Sequence, residues 1–224
     1  MPGKLQAKRV VVTQPDDFMG PAIAVLFREE GAFVLEDRRD LTRPGACEAL
    51  IAGAGEVDIL VANLAIPNPR ARAEETTDAQ FSAVYEALVF PLHRLTKAVL
   101  PQMFARGGGK IVVVGSASAL RGTENRSCYG SARGAQHAYV RNVGVEAAPH
   151  NVQVNATGQI FVENPTYFPP EMIGTAELAA RLKEVPAGRL STAREAASLI
   201  LFLCSPESDF ISGQIFPYAG GWVV

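Results

Sequence analysis

Short runs of nearly continuous apolar residues alternate with helical patterns along the whole chain, and this alternation limits the fold more than any other feature. Arg9 to Thr13, Ala32 to Leu35, Val57 to Ala62, Ile111 to Gly115, Val152 to Ala156 and Gln214 to Tyr218 read as strands. Between them the spacing predicts helices over about 19–30, 42–52, 78–106, 128–148 and 190–204. Gly31 suits the end of the first helix, and Pro44 the first turn of the second. Pro91 and Pro101 should kink or divide the long third one. Such alternation implies parallel crossovers, and strands lacking polar alternation imply a sheet buried on both faces. The expected fold is α/β: a Rossmann-like, doubly wound parallel sheet in three αβα layers, with residues 1–224 as one domain. Residues 158–174 break the rhythm. That segment is rich in proline and aromatics, has no clear period, and reads as a functional lid.

Composition narrows the function classes. The 21 basic and 23 acidic side chains give a net charge of −2 and a pI near 6.0. Such a balance offers no basic face for nucleic acid or an anionic membrane. The 3 cysteines, Cys47, Cys128 and Cys204, are scattered and form neither a disulfide scaffold nor a zinc motif. No uncharged apolar run reaches the roughly 18 residues of a membrane helix. The segment from Met1 to Arg9 lacks the apolar core of a signal peptide. The expectation is a cytoplasmic protein without metal, nucleic-acid or membrane partners.

In open α/β sheets, ligands bind beyond the carboxyl ends of the strands. Ser116 stands there after the fourth strand, and Tyr129 and Arg133, at i and i+4, share one face of the following helix. This serine–tyrosine–basic pattern resembles the short-chain dehydrogenase/reductase superfamily. The resemblance runs over nearly the whole chain and includes Asn63 with Ala65, Asn155 with Ala156, Phe210 to Gln214, and Gly220-Gly221.

Three departures alter what the resemblance implies. The superfamily's glycine-rich phosphate loop reads here Thr13-Gln14-Pro15-Asp16-Asp17-Phe18-Met19-Gly20, with Gln14 and Phe18 in place of two glycines and two acids that repel phosphate. Glu36 and Asp37, which mimic a ribose-binding acid, then read as surface charge. The usual lysine partner of the tyrosine is Arg133, which keeps its charge at any working pH. After the fifth strand the stretch that normally holds nicotinamide is Gln159-Ile160-Phe161-Val162, with Asn164 at the place of a threonine.

Together these changes resemble the halohydrin dehalogenases, relatives of the reductases without a cofactor. That resemblance implies a catalytic Ser116, Tyr129 and Arg133. It also implies a halide and substrate pocket made by Gln159, Ile160, Phe161 and Val162, with Phe168 from the lid and Phe18 from the altered loop. The implied partners are a haloalcohol or epoxide and a halide or other small anion, with no cofactor and a homotetrameric assembly. The family often has proline where Gln159 stands, and some members carry a tryptophan in a C-terminal extension that has no counterpart up to Val224. Trp222 could serve its own site or a neighbour's. Two alternatives remain open: a nicotinamide-dependent reductase with a divergent loop, and a catalytically silent binding or regulatory relative.

Other residues read as structural. Ser118 reads as a loop or cap residue, and Ser127 and Ser131 as helix-start and polar-face residues. His93, His137 and His150 read as structural, as does Asn63, which should bond loop backbone. Tyr85 and Tyr139 read as packing or subunit contacts, and Cys128 as packing. Arg70, Arg72, Arg121 and Arg126 read as solvated charges. Val84, Leu88, Leu92, Leu95 and Val99 suit either core or interface.

Overall fold

A computed structural model describes residues 3–67 and 70–224. Met1 and Pro2, part of the segment read as lacking a signal-peptide core, lie outside the described residues. Six parallel strands form one sheet in the order β2-β1-β3-β4-β5-β6. They are β1 (Arg9–Thr13), β2 (Phe33–Asp37), β3 (Ile59–Ala62), β4 (Gly109–Val114), β5 (Val152–Gln159) and β6 (Ile215–Tyr218). The order reverses between β1 and β3, which opens a crevice at their carboxyl ends, the place where such sheets bind ligands.

Side-chain alternation explains why the strands look apolar throughout. Val10, Val12, Ile59, Val61, Val112 and Val114 pack on one side, against α1 (Gly20–Glu29) and α7 (Ala193–Cys204). Val11, Leu60, Ala62, Ile111 and Val113 pack on the other, with α2 (Ala46–Ala54), α3 (Asp78–Leu88), α4 (Phe90–Arg106) and α5 (Ser127–Ala147). Successive strand residues point to opposite faces, so burial of both faces demands an unbroken apolar run. Val84, Leu88, Leu92, Leu95 and Val99 are buried within this protomer and belong to its core.

Helix ends follow local chemistry. Thr77 with Gln80, and Thr192 with Glu195, close capping boxes at α3 and α7. Gly107, left-handed, ends α4. The long helical stretch divides at Val89, which places Pro91 in the first turn of α4, whereas Pro101 sits inside α4 without ending it. The weak second helix starts at Ala46 after left-handed Gly45, leaving Pro44 outside it.

The boundary of the irregular segment shifts. Gly158 and Gln159 belong to β5, because they pair with Pro217 and Tyr218 of β6. A short helix not foreseen from spacing, α6 (Ala176–Leu182), follows, capped by Thr175. Phe161, Phe168, Leu178, Val185, Leu190, Ala219 and Trp222 form a small apolar cluster that ties this segment to the C-terminal turn.

Candidate active site

Helix α5 buries a stripe that includes Tyr129, Arg133, Gln136, His137 and Val140, the spacing of one helical face. Tyr129 is 3% exposed and Arg133 is fully buried. Arg133 Nε donates to the Tyr129 hydroxyl at 3.1 Å. Its Nη1 donates to Val114 O at 3.1 Å and Gln136 Oε1 at 3.0 Å, and its Nη2 to Leu64 O at 2.9 Å. Gln136 Nε2 in turn donates to Leu88 O at 2.6 Å. The guanidinium is thus clamped by the end of β4, the turn after β3 and Gln136, which is itself anchored to the end of α3. Burial raises the Tyr129 phenol, but the adjacent Arg133 charge and the hydrogen bond that Arg133 donates outweigh it and hold the phenol below its ordinary value.

Ser116 follows β4, and its Oγ accepts from Ser118 N at 3.2 Å and lies 3.0 Å from Ser118 Oγ. The cap is therefore Ser116, not Ser118, and both hydroxyls reach the same cavity. That cavity, of about 540 Å³, lies beyond the carboxyl ends of the strands. Phe18, Ser116, Tyr129 and Phe168 form part of its wall, as do Gln159, Ile160, Phe161 and Val162. Arg133 sits behind Tyr129, outside the wall. Every candidate residue read from the sequence therefore gathers at one place.

Phe161 adopts a left-handed backbone (φ 58°). Its N–H and that of Val162 have no hydrogen-bond acceptor among the described residues, although both residues are nearly buried. Successive free N–H groups at a left-handed turn form an anion-binding concavity. Phe161, Phe168 and Trp222 supply apolar walls around it, with ring centres 5.7 Å and 5.9 Å from Phe161. Trp222 lines the cavity of its own chain. Arg121 donates to its carbonyl at 3.1 Å and lies 4.6 Å from its ring centre, yet remains exposed, a solvated charge that also packs on Trp222.

Tyr167 is the main residue that spacing missed. It comes from the irregular segment, and its hydroxyl donates to Ile66 O at 3.0 Å and accepts from Ile66 N at 3.3 Å. Its ring meets Tyr129 edge-on at 6.3 Å. Burial, then the neighbouring Tyr129, push its own pKa up, so it stays protonated beside the candidate base. Asn164 arranges this turn by accepting from Thr166 N and Tyr167 N and donating to Val162 O. The aromatic content of the segment was the available signal.

The crevice between β1 and β3 is filled by the protein's own groups. Gln14 (φ 46°) and Phe18 (φ 50°) keep the left-handed turns that glycines normally make. The Gln14 amide oxygen accepts from Ala65 N, and its Nε2 donates to Ala65 O at 3.4 Å. Phe18 N donates to Thr166 Oγ1 at 2.7 Å, and Met19 N donates to Asn63 Oδ1 at 3.2 Å. Arg38 forms a bidentate pair with Asp16, closing the loops after β1 and β2 together. Loop N–H groups that would otherwise meet a pyrophosphate are already bonded. These residues do not fit a dinucleotide. Glu36 is surface charge, paired with Arg28 and Arg38. Asp37 is not: it is buried at the end of β2 and paired with Arg39, and burial raises its pKa.

Asn63 bonds loop backbone, donating to Gln14 O and Asp17 O. His93 meets the Tyr139 hydroxyl, His150 stacks on Phe104, and all three cysteines are buried and free. Arg72 pairs with Glu74 on the surface. Arg126, read as solvated, is half-buried on the cavity wall instead, because the chain after β3 runs beside the start of α5 through an Ala71–Arg126 bridge; Arg70 also lines the cavity but is exposed, as read. No helix among the described residues is long and apolar enough to cross a membrane, and no cluster of metal-ligating side chains occurs among them.

A family model described as enoyl-(acyl carrier protein) reductase matches residues 8–223. The 3-oxoacyl-(acyl carrier protein) reductase of Vibrio cholerae serotype O1 is 30% identical, over 97% of this chain and 98% of its own. The 7alpha-hydroxysteroid dehydrogenase of Escherichia coli K12 is 29% identical, over 98% of this chain and 96% of its own. A solved structure described as a dehalogenation enzyme superposes with a TM-score of 0.92 at 33% identity, over 98% of this chain and 99% of that one.

Proposed function

Since the chain belongs to the short-chain dehydrogenase/reductase superfamily, within the family described as enoyl-(acyl carrier protein) reductase, and yet fills the crevice where a dinucleotide would lie, we propose that it converts vicinal haloalcohols to epoxides without a cofactor. The observation that carries this reading is a contrast within one site. Gln14, Phe18, Thr166 and Asn63 consume or cover the phosphate loop, while Ser116, Tyr129 and Arg133 remain set for proton transfer. The likeness to a dehalogenation enzyme supports it.

In this mechanism Ser116 donates a hydrogen bond to the substrate hydroxyl oxygen. Tyr129, as phenolate held down in pKa by Arg133, accepts the hydroxyl proton. The resulting alkoxide attacks the neighbouring carbon from behind. A carbon–oxygen bond forms, the carbon–halogen bond breaks, and its electron pair leaves on the halide. Free N–H groups of Phe161 and Val162 stabilise that developing charge, and the aromatic walls keep water away. Tyr129 then returns its proton to solvent, so epoxide, halide and one proton balance the substrate. The reverse reaction opens an epoxide with a small anion such as cyanide, azide or nitrite in the halide position.

Halide release from 1,3-dichloro-2-propanol and its bromo analogue, with no nucleotide present, tests the reading. Release with epoxide formed in step is the expected result. Absence of release from folded protein, with carbonyl reduction on addition of NADPH, overturns it in favour of the reductase chemistry named for the relatives. Absence of both leaves the silent-relative reading.

The same resemblance leads us to assign a homotetramer built on α3, α4 and α5. Partly exposed Phe81 and Phe90 and highly exposed Val145 on those helices support it. Light scattering at the mass of one chain would overturn it.

A further inference from the structure

Arg70, Arg126 and Arg181 line the cavity, and none lies within ion-pair distance of a carboxylate among the described residues. They come from three places: the segment after β3, the residue before α5, and α6. Other arginines of this chain, such as Arg28, Arg38, Arg189 and Arg194, do pair with carboxylates. Arg126 and Arg181 are half-buried. The Arg181 guanidinium is fixed over the aromatic wall, 4.9 Å from the centre of Phe168 and 5.9 Å from that of Phe161. Among the described residues its one hydrogen-bond partner is Met172 Sδ, at 3.9 Å. Burial, and then repulsion from Arg70, lower the pKa of both half-buried arginines. Glu124 and Glu184 also line the cavity, and Glu184 accepts instead from Trp222 Nε1 at 3.4 Å. A half-buried cation without an anion is costly unless a ligand supplies one.

We propose that this arginine rim binds an anionic tail of the organic substrate, a carboxylate, while the reacting carbons lie against Ser116 and Tyr129. The identity of the reaction rests on the dehalogenase reading above; the carboxylate site rests on the rim alone. A planar guanidinium fork matches the two oxygens of a carboxylate and gains nothing comparable from a spherical halide. The free N–H groups of Phe161 and Val162 and the arginine forks therefore suit different anions.

The test compares 4-chloro-3-hydroxybutanoate with its neutral amide. At low salt, kcat/KM for the carboxylate should exceed that for the amide by at least about 10-fold, the effect of one charge-assisted hydrogen bond. That ratio should fall toward one in Arg126→Gln and Arg181→Gln, and Arg126→Lys should keep part of it. Binding is measured separately through Trp222, the only tryptophan, with 3-hydroxybutanoate against 3-hydroxybutanamide. Equal rates and equal binding for the charged and neutral partners overturn the rim and leave the dehalogenase reading standing. Tighter, salt-sensitive carboxylate binding without halide release from either compound upholds the rim and overturns the dehalogenase reading.

Discussion

The guanidinium carbon of Arg133 lies 5.7 Å from the centre of the Phe18 ring and 5.1 Å from that of Tyr129. One buried cation therefore contacts both the residue that fills the dinucleotide crevice and the phenol that would accept a proton. Phe18 also meets Tyr167 edge-on at 5.1 Å. Closure of the crevice and activation of Tyr129 are parts of one packed unit, which makes their consequences testable together.

Tyr129→Phe removes the proton acceptor and keeps the ring. Halide release should fall by about 10²–10⁴-fold, the usual contribution of a positioned general base. Arg133→Lys keeps a charge but cannot reach Tyr129, Val114 O, Leu64 O and Gln136 together. It should lose activity to a similar degree and cost about 1–3 kcal/mol of stability for each buried acceptor left unpaired. Steady-state halide assays and thermal melts check both. Full activity in either variant contradicts the assigned roles.

The pH dependence has a defined sign. Tyr129 works deprotonated, and its pKa lies below the ordinary tyrosine value of 10.0. kcat/KM should rise with pH and level off at a midpoint below that value. Gln136→Leu removes an acceptor from Arg133 Nη1 and a donor from Leu88 O, loosening the cation. Its midpoint should move up toward 10. An unchanged midpoint would make Gln136 a packing residue only.

Nucleotide binding should be absent. NADH or NADPH titrated into the protein should show no saturable change in nicotinamide fluorescence. The double variant Gln14→Gly with Phe18→Gly should not restore binding, because Thr166 and Asn63 still occupy the N–H groups of residues 18 and 19. Saturable micromolar binding by the unaltered protein would sink this account of the crevice.

His137 makes a separate prediction about stability. It is buried, neither ring nitrogen has a partner among the described residues, and burial followed by the charges of Arg133 and Arg141 push its pKa down to about 4 from 6.5. A base depressed in the folded state contributes stability fully present above pH 6.5, and this is lost as pH falls toward 4. The difference is on the order of 3 kcal/mol. The urea midpoint should fall accordingly as pH drops between these values, and His137→Gln should flatten that dependence. Identical pH profiles for the two proteins would refute it.

The sequence by itself determined the sheet and the Tyr129–Arg133 pair. Strands such as Ile111 to Val114 are legible because burial on two faces leaves no polar alternation. Tyr129 and Arg133 are legible because one helical turn places them together. The loss of glycine at Gln14 and Phe18 was also visible there, but not that both residues keep left-handed turns and turn the loop's donors inward. Tertiary structure alone decided the rest. Tyr167 reaches Ile66 across 101 positions, and Trp222 meets Phe161 from the far end of the chain. Arg70, Arg126 and Arg181 share one cavity only because parallel crossovers return separate loops to the same edge of the sheet. Local periodicity carries information over a turn or a pleat, whereas these contacts depend on where whole crossovers bring the chain back.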